Sequence, residues 1–286
     1  MTSVDEHGPS SVASPVPQEA GAPAEGLSAS LGRVRAVARH DLRILKSDPA
    51  FLLIFTIMPI AFMAFSVKTA EYALAVEFPG RGLNGAAFIV PGATVLFSGF
   101  LVGNIGFGIF REHGWGTWER LRSSPLSPGE LMLGKTLVPM LTIGIQLTAL
   151  LGGGALLFGL KIRGSMLGFL AVAVALAAME VALGFLFLSV CRSVIQLNAL
   201  SNAGAFLLGG LGGATSPVEL LPGWAQAIAP ATPAYWAMRG FRSVTLAPGG
   251  FGTVLLPLGV LLAFTVVFLA VALRRFDIEA TKVSWA

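Results

Sequence analysis

Charge is scarce in this sequence. Charged side chains make up 12% of the 286 residues, about half the share usual in soluble domains. With 55% hydrophobic residues and a mean hydropathy of +0.78, such a chain cannot cover its own surface with polar groups, so its solvent must be largely lipid. Cysteine is nearly absent as well: Cys191 stands alone, which excludes an intrachain disulfide and a cysteine-based zinc site. The three histidines, His7, His40 and His113, lie far apart and outside the apolar stretches, so no histidine metal cluster is expected. The net charge of +4 is small and the basic residues are dispersed between apolar segments, which argues against nucleic acid as a partner. No Ser/His/Asp set or carboxylate pair converges at one depth, so a catalytic site in this chain is not expected.

What is present is a series of apolar runs. The stretch over residues 1–27, rich in Pro, Ser, Ala, Gly and Glu, reads as a disordered tail. It lacks the basic start and apolar run of a secretory signal, so cleavage is not expected. Residues 28–286 read as one membrane domain of all-α, polytopic class. Six runs approach the roughly 20 residues that a spanning helix needs: 51–67, 86–110, 136–160, 166–190, 194–214 and 251–273. The first is short and the fifth carries Asn and Gly, which leaves a count of five open; a count of six puts both termini on one side. With the termini inside, thirteen of the 19 lysines and arginines fall in inner segments and six, Lys68, Arg81, Lys161, Arg163, Arg239 and Arg242, in outer ones. The excess of inner cations predicts cytoplasmic termini in a plasma membrane.

Ahead of the first span, over 28–47, Leu31, Val34, Ala38, Leu42 and Leu45 recur at helical spacing, with Arg33, Arg39, His40, Arg43 and Lys46 on the other side. This predicts an amphipathic elbow helix on the inner membrane surface. Ser47-Asp48-Pro49 supplies the stop and the proline at the next first turn. Residues 216–248 are too broken by proline to span, and Leu220, Leu221, Trp224, Ile228, Tyr235, Trp236 and Met238 suit the headgroup zone. Two short external re-entrant helices are expected, split near Pro230 to Pro233 and packed on the other helices, since irregular backbone at that depth must be buried in protein or face water.

Gly129 to Thr136 satisfies the phosphate-loop pattern G-x-x-x-x-G-K-[ST]. A working phosphate loop follows a buried strand and precedes a soluble helix, whereas here Ser127-Pro128 precedes and a span follows. Lys135 is expected to anchor the third span at the headgroups. The loop 111–130 between spans two and three offers a short amphipathic helix from Thr117 to Arg122, in which Trp118 and Leu121 are apolar anchors and Glu119, Arg120 and Arg122 set register in a partner's groove. An ordinary solvated connection is the plain alternative.

The order and spacing of several short motifs resemble the ABC-2 type permeases, in particular the drug-resistance members that pair with a separate ATPase. The resemblance rests on Glu112, Gly116-Thr117, Glu119-Arg120-Leu121, Ser124-Pro125-Leu126, Leu131 and Gly134-Lys135. It continues with Asn198-Ala199-Leu200, Pro217, Leu221-Pro222-Gly223-Trp224, Pro230, Pro233 and Arg239, and covers roughly Ser28 to Arg275. Ser124 stands where the family often has threonine, and Leu211-Gly212-Gly213-Ala214-Thr215 replaces its usual Ser-Gly and bulky apolar residues.

The resemblance implies that the helix after span two is a coupling helix seated on the ATPase, which makes Glu112, Gly116, Thr117, Trp118, Glu119, Arg120, Leu121 and Pro125 the coupling residues. It further implies a multidrug-efflux type of exporter with two permease copies, as a homodimer, and two ATPase subunits. These would move a lipophilic or amphipathic substrate outward, with ATP and Mg bound by the ATPase and no cofactor on this chain.

Polar side chains inside spans face the bundle or a cavity by default. Phe97, Phe100, Asn104 and Phe107 share one face of span two by spacing, and Asn198 and Asn202 do so in span five. The family resemblance points to spans two and five as the lining of the path, so these are the substrate-path candidates, with packing and interhelical hydrogen bonding as the plain alternatives. Gly99-x-x-x-Gly103 permits close helix approach. Glu180 in span four is a further substrate-path candidate and admits three roles: relaying protons, attracting a cationic substrate, or locking its helix to Gln146 or another polar group, of which the lock is favoured. Three rival functions follow from the residues: a proton-coupled secondary transporter using Glu180, a membrane enzyme acting on lipid, and a scaffold.

Overall fold

The structure is a computed structural model that describes residues 27–47, 50–77, 79–80 and 82–275. The tail through residue 26, the stop at Asp48-Pro49, Arg81 and Lys282 lie outside the described residues. Among the described residues all regular structure is helical: α1 (Leu27–Ser47), α2 (Ala50–Glu77), α3 (Ala86–Gly99), α4 (Val102–Gly114), α5 (Trp118–Arg122), α6 (Pro128–Phe158), α7 (Met166–Val190), α8 (Val194–Leu211), α9 (Gly223–Ile228), α10 (Pro233–Thr245) and α11 (Leu255–Arg275), with short 3-10 turns between α8 and α11. Six helical stretches are long and apolar enough to cross a membrane. The chain is thus an all-α polytopic membrane protein with six candidate spans.

Span two is the axis of the bundle, with 89% of its apolar window buried, against 11% for span one and 17% for span six at the periphery. Its helix is not continuous. At Phe100 and Leu101 the four-residue bonding gives way to shorter turns, with Leu101 N donating to Ser98 O at 2.9 Å and Asn104 N to Leu101 O at 3.0 Å, which divides the span into α3 and α4.

Three helix starts follow from local chemistry. Ser165 and Ser193 cap α7 and α8 by accepting from the backbone N–H of Gly168 and Gln196, the bond that satisfies an otherwise orphaned donor. Span three, read from 136 onward, begins eight residues earlier at Pro128. There Ser127 accepts from Glu130 N at 3.3 Å and the Glu130 carboxylate accepts from Ser127 N at 2.8 Å, a capping box with proline in the first turn. The helix of span one runs on past Val67 to Glu77, because Lys68 and Glu71 end the apolar run without ending the helix; they pair at 3.1 Å on its surface, and both are good helix formers.

The proline-broken segment folds into α9 and α10, and α10 sits among α3, α7, α8 and α11 with Ala237, Met238, Phe241 and Val244 buried. Thr245 Oγ1 donates to Ala87 O at 2.8 Å, stitching the end of α10 to the start of span two.

Candidate functional site

The loop between spans two and three is built around a buried charge cluster. Lys135 Nζ lies 2.6 Å from Glu112 Oε1 and 2.9 Å from Asp41 Oδ1, with side-chain exposures of 3%, 4% and 8% for the three. Arg111 Nη2 stands 3.8 Å from the same Asp41 oxygen. Thr117, which precedes α5, donates its hydroxyl to Glu112. Glu112, near the end of α4, therefore joins α4 to the loop helix, to α6 through Lys135 and, through Asp41, to α1. Lys135 is not the exposed headgroup anchor its sequence position suggested: it is the shared cation of two buried carboxylates.

Close approach of α1 and α6 makes this reach possible. A Cβ at Gly134 would fall 2.7 Å from Val37 Cβ, so only glycine lets the buried Val34 and Val37 sit on α6. A second link holds the other end of the crossing, where Arg33 donates to Glu130 at 2.8 and 3.1 Å through two nitrogens, the bidentate geometry that fixes orientation as well as distance. Asp41 and not a hydrophobic residue thus continues the buried stripe of α1, while Leu31 is exposed.

His40, Asp41 and Glu112 offer ligand atoms within 4.8 Å of one another, yet the Lys135 ammonium already sits on both carboxylates and supplies the compensating charge there. The phosphate-loop-like run Gly129 to Thr136 lies inside α6. From Leu131 onward its backbone N–H groups are in helix bonding, Glu130 N–H is taken by the Ser127 cap, and its lysine is buried in the cluster, so it has neither the loop nor the free ammonium that phosphate binding needs.

The expected docking face of α5 is rearranged. Trp118 is buried and its ring stacks on His113 with centroids 4.5 Å apart, so it packs the loop onto α4 instead of facing outward. The exposed aromatic is Trp115, with the Arg111 guanidinium 5.1 Å from its ring centroid, and Glu119, Arg120, Gly116 and Pro125 are exposed beside it, with Leu121 half-buried. Gly116 has φ +66°, a conformation that reverses the chain between α4 and α5 and that other residues adopt only at a cost.

The break in span two separates the aromatic stripe. Phe97 and Phe100 belong to a cluster that runs Phe62, Phe97, Phe100, Phe206, with centroid distances of 5.5, 5.8 and 5.1 Å. Asn104 and Phe107, below the break, line a separate cavity of about 410 Å³ with Asn198, Thr142 and Pro139; Asp41, Arg111 and Lys135 form part of its wall. Asn202 is exposed on α8 and does not reach this cavity. The Gly99 and Gly103 positions do meet α8 closely: a Cβ at Gly103 would stand 2.9 Å from Ser201 Oγ, and one at Gly99 3.2 Å from Ala205 Cβ.

Glu180 is 2% exposed and Ser98 of span two is its partner, at 2.5 Å between Oγ and Oε1. Gln146, the partner suggested first for a lock, instead donates its amide to Phe55 O at 2.8 Å and to Phe97 O at 3.4 Å, tying span three to spans one and two. Beside α10, a cavity of about 300 Å³ is lined by Tyr235, Arg239, Arg242 and Glu219. Arg242 pairs with Glu219 at 3.1 Å, and Trp236 donates its indole N–H to Pro230 O at 2.8 Å. Partial burial pushes the Glu219 carboxyl up, but its backbone hydrogen bond and the adjacent Arg242 outweigh this and hold it below the usual carboxylate range.

No curated protein matches the chain at a significant level. A family model described as ABC-2 type transporter matches residues 33–246, a region that takes in most of α1, the charge cluster, the first five spans and α10. The chain belongs to the ABC-2 type transporter family and is a membrane-spanning permease subunit of an ABC transporter, a family whose members work with an ABC ATPase.

Proposed function

We propose that the chain is the permease of an exporter that moves lipophilic or amphipathic compounds outward across the plasma membrane, with both termini in the cytoplasm. Two copies of the chain and two ATPase subunits form the working unit, and ATP with Mg is held by the ATPase. The loop around α5 receives the ATPase, with Trp115, Glu119 and Arg120 as its outward-facing contacts. The observation that carries this reading is the Glu112 hub: one buried carboxylate takes hydrogen bonds from Thr117 beside α5 and from Lys135 of α6. A displacement of α5 is then delivered to α4, α6 and α1 together. Coupling requires two states that ATP and substrate bias differently, and a shared buried ion set favours discrete arrangements over gradual deformation.

The cavity lined by Asn104, Phe107 and Asn198 abuts the same cluster, which favours it as the inner end of the path. Its mixed apolar and amide lining suits an amphipathic guest. Phe97, Phe100 and Asn202 are assigned to later stages of passage between spans two and five, and Glu180 to the structural lock.

The test is substrate-stimulated ATP hydrolysis in the assembled complex with Glu119→Arg or Gly116→Pro. Assembly retained with stimulation lost supports the reading; unchanged stimulation in both variants refutes it. Transport by the chain alone in vesicles carrying an ion gradient would favour the proton-coupled alternative.

A further inference from the structure

A small space of about 30 Å³ lies between spans two, four and five and α10 and is lined by Glu180 and Ser201. The rest of its lining, drawn from α3, α4, α7, α8 and α10, is apolar or glycine, and no second titratable side chain faces it. Two buried polar atoms among the described residues have no hydrogen-bond partner and belong to this lining, Glu180 Oε2 and Ser201 Oγ. Their residues are 2% and 3% exposed. A buried oxygen left without a hydrogen-bond partner is costly, so two at one small cavity call for a common explanation.

The hydrogen count at Ser98 bears on the state of Glu180. Ser98 Oγ stands 2.6 Å from Thr94 O and 2.5 Å from Glu180 Oε1. A hydroxyl carries one hydrogen. If Ser98 donates to Glu180, two oxygen lone pairs face each other at 2.6 Å; if it donates to Thr94 O, the 2.5 Å contact needs a hydrogen from Glu180. Both short contacts are satisfied at once when Glu180 is a carboxylic acid that donates to Ser98 Oγ while Ser98 donates to the carbonyl one turn back.

We infer that Glu180 is a neutral carboxylic acid and that a single buried water occupies the cavity, bridging Glu180 Oε2 and Ser201 Oγ. The water donates to the carboxyl's carbonyl oxygen and completes its second bond with the serine hydroxyl. The space exceeds the roughly 10–15 Å³ that one water needs, and the two partners meet the minimum for a buried water. Glu180 then holds span four to span two directly through Ser98 and to span five through the water and Ser201. Moving α8 away from α3 and α7 would open the bridge. A neutral Glu180 also offers no charge to attract a cation. This inference stands on hydrogen-bond geometry and does not depend on the direction or substrate of transport.

Two measurements on the full-length wild-type protein test it. Infrared spectroscopy at neutral pH, with and without carbon-13 glutamate, is expected to show an isotope-sensitive carbonyl band of a protonated carboxyl that Glu180→Gln removes. Absence of an isotope-sensitive band in the wild type overturns the neutral-acid assignment even if the variant does not fold. A density map that resolves ordered waters is expected to show one water within hydrogen-bonding distance of both Glu180 and Ser201. An empty or apolar-filled space there overturns the bridge. Glu180→Gln, which keeps a neutral hydrogen-bonding group, is expected to export cationic and neutral substrates in the wild-type ratio; selective loss of cations would show that Glu180 acts as a charge.

Discussion

Replacing Lys135 by methionine tests the buried cluster most directly, because the change keeps side-chain length and removes only the cation. The cluster holds two carboxylates, Asp41 and Glu112, and two cations, Lys135 and Arg111. In the variant Arg111 still stands 3.8 Å from Asp41, so one carboxylate, that of Glu112, is left buried without a counterion. Removing one member of a buried pair typically costs about 3–5 kcal/mol, and retention of Arg111 and Thr117 places the expected loss near the lower figure, about 3 kcal/mol. At roughly 2–4 °C per kcal/mol for domains near this size, the melting midpoint in detergent should fall by about 6–12 °C. Adding Glu112→Gln removes the orphaned charge, so the double variant should be more stable than Lys135→Met alone. Thermal melts of the four proteins of this cycle decide the matter. If Lys135→Met lowers the midpoint by less than about 2 °C, corresponding to under about 1 kcal/mol, or if the second change adds its full cost, the shared-cation reasoning fails.

Three further outcomes follow from the same geometry. Gly116→Ala places a side chain in open space but at φ +66°, so its cost is backbone alone, roughly 1–2 kcal/mol, and Gly116→Asn should cost less because asparagine tolerates that region; paired melts check the order. The purified chain is expected to bind no nucleotide, and saturable binding that Lys135→Ala abolishes would contradict the helical placement of residues 129–136. Glu219 titrates below its ordinary value in the fold, so its contribution to stability is present above the unfolded value of about 4.3 and is lost as pH falls through the lower folded value. Glu219→Gln should flatten that acid limb of the melting profile, and an unchanged limb would show that the Arg242 pair does not act there.

Much of the membrane topology was legible because its signals are local. A run of apolar residues declares a span without reference to any other part of the chain, and the prolines between Pro217 and Pro233 declare where spanning stops. The start of α6 was legible too, in Ser127 and Glu130 with Pro128 between them, yet it was masked by weighting hydropathy above capping. The division of span two was not: Phe100 and Leu101 carry no proline, and the residues there are as apolar as those on either side. Asp41 illustrates the deeper limit. On α1 alone it is a charge in a basic amphipathic helix, and its burial is decided by a lysine 94 positions away. The burial of Trp118 was hidden for the same reason, since an amphipathic face shows that a side chain will be covered without showing by what, and the His113 ring stacks on it.

The two links between α1 and α6 explain why the elbow and the third span should act as one body. Arg33 and Asp41 are eight residues apart on α1, about 12 Å along its axis, whereas their partners Glu130 and Lys135 are five apart on α6, about 7.5 Å. The long Arg33 and Lys135 side chains take up the difference in spacing, and Gly134 lies between the partner residues where Val37 makes its close approach. One link alone would leave α1 free to swing about the crossing. Two links on either side of it oppose rotation in both senses, and the inner one is also the link that Glu112 extends to the loop helix. A push on α5 therefore reaches α1 and α6 through the same lysine, and neither helix can follow it without carrying the other.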